Sequence, residues 1–476
     1  MHGGRQWFTG ALGLLALVLS GCSTSPAPDD TGPGGDVAEP WSDRPVVDLR
    51  FDVAPDLRSV SGRERVEFTP DLDTCELVFR LWPNKPATAR AGSSLVVSAV
   101  QVDGRDAAFR DSVAGAPDVA PAGTLLEVPL SDCLDAGETV TAELEFALEL
   151  GEDVDERVGT SSDAEVAWFA TAFPLLAWER GRGWDRGPAV AVAGEMAVSE
   201  DFRLDSLDVA APSSYQVLGT GERAGAEDGP DGTTVHRFAA RAVRDVAVTV
   251  GDLDVAERTI DGVRVHVGSD RDVERADAED WLDEIAESKG ALVDLLGPFP
   301  YDDLWISVLS SQTSGIEFPG AIQFGDVQPD GRRGLVAHEL AHMWFYGWVG
   351  NDQGEHPWLD ESFATFAQTV ATGDDDGGKP YTDASWEEAP PVGRPMTYWA
   401  AEFPSPSSVY YDTVYTLGGA ALVEARDRAG HEVFDAALAD YLTANAYSIA
   451  TPQDVRRAFA DVPEVLDVLR EVGALM

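Results

Sequence analysis

His338 and His342 stand four residues apart in the apolar run Val336–Phe345, and Glu339 follows the first of them. On a helix, residues four apart share a face one turn apart, so both imidazoles can grip a single metal ion. A carboxylate next to the first ligand reaches water on that ion rather than the ion itself, which is the place of a general base. Histidines and glutamates buried among apolar residues are costly without a partner. A metal that does catalysis has three protein ligands and one open position, so a third ligand must come from a second element. "HPWLDESFATF" (His356–Phe366) is the candidate element. Eighteen residues separate His342 from Glu361, which suits a helix end, a loop and the start of the next helix. Asp360 and His356 compete for the role. On a helix, however, Asp360 would point elsewhere, and His356 precedes Pro357 in what reads as a loop.

His-Glu-x-x-His at these positions is a zinc protease signature. Followed at this distance by Glu inside "WLDESFA", it resembles the gluzincin aminopeptidases, the family of aminopeptidase N, whose members read "HELAHQWFG" and "WLNEGFA" there. "FRLWPNKP" (Phe79–Pro86), "FPLLAW" (Phe173–Trp178) and "GPFPYDDLWISVL" (Gly297–Leu309) extend the resemblance over most of the chain. It implies one Zn2+ per chain, held by His338, His342 and Glu361, with Glu339 as the general base. An aminopeptidase also needs a fixed carboxylate for the substrate's α-ammonium. The family's G-x-M-E-N segment matches "SGIEF" and implies Glu317, although Ser314, Ile316 and Phe318 replace Gly, Met and Asn. Its oxyanion donor, a Tyr in "VYEKGA", matches Val414–Gly419 and implies Tyr415. Tyr410 and Tyr411 are alternatives, and Thr416-Leu417 replace the family's Glu-Lys pair.

The expected function is therefore a zinc-dependent aminopeptidase that hydrolyses the N-terminal bond of peptides with a free N-terminus. The competing readings are a thermolysin-like endopeptidase and a surface binding lipoprotein with a vestigial site. Only 61 residues follow Tyr415, too few for the long helical domain that caps the cleft in large members, so an open cleft is expected.

The elements that must position these residues change character along the chain. "TAELEFALEL" alternates, with Leu144, Phe146, Leu148 and Leu150 on one face and Glu143, Glu145 and Glu149 on the other, which is strand periodicity. "CELVFRLWP", "TLLEVPL" and "RDVAVTVGDL" are further strand candidates. Later, "GVRVHVG" and "LWISVLS" read as strands. "ADAEDWLDEIAESKGALVDLLG" instead sets Trp281, Ile285, Leu292 and Leu296 at helical spacing before a Gly-Pro stop. Gly334–Tyr346 reads as helix, another helix starts near Trp358, and the chain from about Tyr415 is mainly helical. With 476 residues the chain exceeds one ordinary core. The expected architecture is an all-β sandwich or saddle domain over 41–257, then an α+β, thermolysin-like catalytic domain with C-terminal helices over 258–476.

Composition narrows the partners. Asp and Glu number 84 against 34 Lys and Arg, a formal charge of −50, so nothing would neutralise a phosphate backbone and nucleic acid is excluded. Residues 1–21 have a basic start and a short apolar core, as a secretory signal does. Leu19-Ser20-Gly21-Cys22 resembles the lipobox of bacterial lipoproteins. That implies lipidation of Cys22, export, and attachment to the outer face of the cytoplasmic membrane through residues 22–40, a Pro/Gly/Ser/Asp-rich tether. Outside the cytoplasm the two remaining cysteines, Cys75 and Cys133, are expected to pair. The acidic loop "TGDDDGGKP" reads as solvated.

Overall fold

The alternating stretch forms the strand Val140–Glu149, with Leu144, Phe146 and Leu148 buried and Glu143, Glu145 and Glu149 in water. It pairs antiparallel with Ser59–Phe68 on one side and Ser94–Val102 on the other. These strands lie in an eight-stranded sheet that also holds Val46–Val53, Phe202–Pro212 and Thr233–Val243. Val46–Val53 beside Phe202–Pro212 is its parallel pair. Two four-stranded sheets and a two-stranded one complete the β region among the described residues, and Cys75 and Cys133 form a disulfide across the paired strands Thr74–Arg80 and Leu125–Leu134. The computed structural model describes residues 37–112, 114, 123–189, 199–373, 389–403 and 408–475. The signal segment, Cys22, most of the tether and most of the acidic loop lie outside them. No helix among the described residues is long and apolar enough to cross a membrane.

The second sheet system carries the candidate chemistry. Its order is Leu253–Ile260, Val263–Asp270, Asp303–Leu309, Ala321–Gly325, Gly315–Phe318. The three inner strands run parallel and the two outer ones antiparallel, so Gly315–Phe318 is an edge strand. Leu253–Ile260 straddles the expected domain boundary at 257/258. The Asp261-Gly262 turn, with both residues at positive φ, makes a hairpin of this strand and the next, and the change of sheet moves back to Asp252. The helix Ala278–Leu296 buries Trp281, Ile285, Leu292 and Leu296, and Asp277 caps its first turn reciprocally with Asp280.

The motif helix is shorter than its sequence suggests. It runs from Arg333 to Ala341, with His342 as its C-cap still in right-handed helical conformation. Tyr346, at φ 88°, then turns the chain. The helix Trp358–Thr372 packs beside it, and the rings of Phe345 and Phe363 stack at 5.1 Å between the two. Phe363 in turn stacks on Tyr441 at 5.5 Å, which extends the apolar layer into the C-terminal helices. One continuous core runs from Val47 to Leu475, and Gly34–Met476 form one compact unit.

Two polar nodes tie the β region to the later elements. Arg244, almost wholly buried, donates to the carbonyls of Ser199, Gly347 and Ser448 and lies 3.6 Å from Asp201. Glu179, Asp185 and Asp352 bring carboxylate oxygens within 4.8 Å of one another. Arg182 holds Glu179 and Arg80 holds Asp185, so this trio reads as an ion-pair node. Burial, with Asp185 and Glu179 alongside, pushes the Asp352 carboxyl up to about 7. Between roughly pH 4 and 7 the folded chain therefore keeps a proton that the unfolded chain has lost, and stability falls as pH rises through that window. Asp352→Asn should stabilise the fold by about 2–3 kcal/mol more at pH 8 than at pH 5. Denaturant midpoints at the two pH values measure this, and equal shifts at both would contradict it.

Candidate metal centre and active site

The helix Arg333–Ala341 and its C-cap turn two imidazoles toward the helix Trp358–Thr372, whose first turn carries Glu361. His338 Nε2 lies 3.1 Å from His342 Nε2 and 3.2 Å from Glu361 Oε2, and His342 Nε2 lies 3.4 Å from the same oxygen. All three residues are buried. Donors bound at ~2.0–2.1 Å to a tetrahedral ion sit about 3.3 Å apart, so the trio already has the spacing of zinc ligands. The electrostatics agree. Burial alone would lower the His342 pKa, yet Glu317, Glu361 and Glu339 together raise it well above the usual imidazole value. The centre thus favours positive charge despite its burial. His342 Nδ1 lies 3.2 Å from the Phe345 carbonyl oxygen. A carbonyl only accepts, so Nδ1 carries a proton and Nε2 is the nitrogen left to face the centre.

The competitors for the third ligand are accounted for. Asp360 accepts from Gln353 Nε2 at 3.0 Å and from the Glu361 amide at 2.9 Å, facing away from the histidines. His356 stays half-buried in the loop before Pro357, outside the ligand cluster.

Glu339 is buried on the same helix face. Glu317, Glu339 and His342 place donor atoms within 4.8 Å of one another. Glu339 lies hard against the edge strand: a Cβ on Gly315 would come 2.5 Å from its Oε1. The sequence comparison attached no weight to Gly315, yet this is where the strand's main chain must approach the candidate base. Glu317 is 4% exposed rather than a solvated strand carboxylate. Its Oε1 lies 3.4 Å from Arg157 Nη2. The Arg157 guanidinium sits 5.0 Å from the Phe318 ring and 5.2 Å from the Trp82 ring. Phe318, where an Asn was expected, is therefore one wall of an aromatic slot for Arg157. Sequence reading missed this arginine, because it lies some 160 residues upstream without a motif around it.

Tyr415 comes from a π-helical turn, Tyr411–Leu417, that no periodicity announced. Its ring stacks on His338 at 5.7 Å, and its hydroxyl donates to Glu361 Oε1 at 2.6 Å. Ser362 Oγ donates to the Val414 carbonyl at 2.6 Å and binds this turn to the ligand helix. The next helix starts at Gly418, where a Cβ would come 2.1 Å from Ser362 Oγ. Tyr410 is fully buried, whereas Tyr411 lines the cleft. That cleft, about 700 Å³, joins His338, Glu339, Glu361, Glu317 and Tyr415 to Lys85 and Arg157 of the β region.

Residues 330–474 match the Peptidase family M1 domain. The chain is 30% identical over 133 residues to Aminopeptidase M1 of Arabidopsis thaliana and 28% identical over 138 residues to Aminopeptidase N of Haemonchus contortus. These matches cover 25% and 27% of this chain but only 15% and 14% of those proteins. Among solved structures, an M1 zinc metallopeptidase from Deinococcus radiodurans superposes with a TM-score of 0.65 at 20% identity, covering 91% of this chain and 95% of that one. A glutamate-to-alanine mutant bound to a Tyr-Ser-Ala substrate gives 0.65 at 18% identity, with 91% and 94% covered. A two-domain M1 zinc metallopeptidase mutant bound to L-arginine gives 0.66 at 18%, with 90% and 94% covered. The fold is thus that of two-domain M1 metallopeptidases, a β-rich region followed by an α+β region that ends in helices.

Gly315→Ala should displace the Glu339 carboxylate without disturbing the three ligand atoms. Zinc per chain should stay at wild-type level while kcat for peptide hydrolysis falls roughly 10²-fold, the scale of a misplacement of about 1 Å. An unchanged kcat would show that the strand yields instead of the base.

Proposed function

We propose that this chain, with a peptidase family M1 domain over residues 330–474, is a zinc-dependent aminopeptidase. The observation that carries the reading is the convergence of His338 Nε2, His342 Nε2 and Glu361 Oε2 in one buried cleft with Glu339, Glu317 and Tyr415. Bound there, zinc would supply Lewis-acid chemistry, acidifying a water and polarising the scissile carbonyl.

The chain's own residues do the rest. Glu339, at the cleft wall beside His342, takes the proton of the attacking water and returns it to the departing amine. Tyr415 swings its hydroxyl from Glu361 Oε1, where it rests at 2.6 Å, to the carbonyl oxygen as negative charge develops there. Glu317 holds the substrate's α-ammonium by a charge-assisted hydrogen bond, so that only the first peptide bond reaches the centre. Lys85 and Arg157 give the β-region wall of the cleft positive charge beside these acids.

One observation favours a second reading. Arg157 lies on Glu317 and neutralises part of the charge that an ammonium would seek. A substrate that does not need its N-terminus held, cut at an internal bond, is compatible with that pairing.

Amino-acid p-nitroanilides tested against their N-acetylated forms separate the two. The aminopeptidase reading expects free-amine substrates to be preferred by at least ~10²-fold, with Glu317→Ala removing most of that preference. Equal turnover of both forms would overturn the aminopeptidase reading in favour of the endopeptidase, and an equal loss on both in Glu317→Ala would remove the anchoring role of Glu317. Glu339→Gln should retain zinc and lose at least ~10³-fold in kcat, since proton transfer and its alignment both go. Wild-type turnover in that variant would sink the mechanism.

A further inference from the structure

We infer that Asp245 and Tyr346 form a positioning pair through which the β region sets the zinc affinity of His342. The inference rests on the zinc reading above and adds to it two residues that touch neither metal nor substrate.

Tyr346 is one of few non-glycine residues among those described with φ in the left-handed range, at 88°, and it is 2% exposed. A bulky residue there is strained by about 1–3 kcal/mol and persists only where its surroundings over-determine it. Those surroundings are visible. The Tyr346 amide donates to the Val349 carbonyl at 2.8 Å, and the Gly347 amide donates to the His342 carbonyl at 2.9 Å. The Tyr346 hydroxyl donates to Asp245 Oδ2 at 3.0 Å. Asp245 is fully buried in the β region, where it also accepts from Thr171 Oγ1 at 2.6 Å and from the Val246 amide at 2.7 Å.

Asp245 is thus a fixed post, and Tyr346 is the strut between it and the main chain just after the motif. The residue that the strut aims is Phe345. Its carbonyl oxygen receives the His342 Nδ1 proton at 3.2 Å, which holds the ring so that Nε2 faces Glu361 and His338. A partner on the second ring nitrogen of a metal-bound histidine fixes the ring and raises its basicity, and losing it costs roughly 10–100-fold in metal affinity. Here that partner is a backbone carbonyl on a strained turn, so its position depends on whatever holds the turn. The phenol–carboxylate contact holds it from the far side, about 100 residues away in sequence.

Tyr346→Phe removes only the hydroxyl, whereas Asp245→Asn removes the charge and turns one accepting oxygen into a donating amide. Zinc dissociation constants follow from chelator competition on the full chain, and melting temperatures of the zinc-free proteins are taken in parallel. Each variant should weaken zinc binding by about tenfold or more, with the zinc-free melting of Tyr346→Phe close to wild type. The double variant should lose no more than the worse single, the mark of one coupled contact. ¹⁵N spectra of the zinc-loaded chain should show the His342 Nδ1–H hydrogen bond weakened in Tyr346→Phe. Wild-type zinc affinity in Tyr346→Phe would overturn the inference. So would additive losses in the double variant, or affinity that falls only in step with zinc-free stability. Failure of the wild-type chain to bind zinc at all would overturn both this inference and the reading it rests on.

Discussion

Three donor atoms within 3.4 Å of one another, each on a buried side chain, are an arrangement that a protein interior does not tolerate unaided. Lone pairs facing lone pairs repel, and a carboxylate out of water costs several kcal/mol unless opposite charge compensates it. The fold imposes this arrangement, and positive charge at its centre, on a protonated His342 or a bound cation, compensates it. Much of the surrounding structure can be understood as the frame that keeps the three atoms from relaxing apart. Phe345 and Phe363 stack between the two ligand helices, Ser362 ties the π-helical turn to one of them, and Gly418 lets the following helix come close enough for Tyr415 to reach Glu361.

The centre was largely legible in the sequence because it is built from local spacings. Four residues on a helix fix His338 against His342, and a short loop limits where Glu361 can arrive. The β region was equally readable from alternation, as in Val140–Glu149, and its order relative to the helices followed from the change of period. What could not be read depends on non-local approach. Arg157 meets Glu317 from some 160 residues away, and no pattern around either position announces the pairing. The π-helical turn under Tyr415 has no periodicity signature of its own; Ser362 meets it from another helix, and Gly418 packs against that serine. The motif helix ends at Ala341 rather than Tyr346 because its last residues turn to reach the β region, a demand invisible along the segment itself.

Phe318 illustrates how a departure from a resemblance becomes intelligible only in three dimensions. Where an amide side chain was expected, an aromatic ring faces a guanidinium at 5.0 Å, a distance at which cation–π attraction is substantial in a desolvated site. The substitution and the arginine therefore belong together. The cleft wall opposite the metal ligands is correspondingly mixed in charge, in a protein whose overall charge is −50.

Arg244 has a consequence of another kind. Its guanidinium joins carbonyls from the β region, from the turn after the motif helix and from the bend that follows the helix His431–Asn445. Carbonyl acceptors belong to the main chain, so no rotamer change on their side lets one of them go. Opening the cleft by swinging the β region away would strip the Gly347 and Ser448 carbonyls together inside a dry core. Enzymes that close around substrate spend part of its binding energy on that motion. In this chain the walls of the cleft are already fixed relative to one another when folding ends, so the entropy of assembling them is lost before substrate arrives.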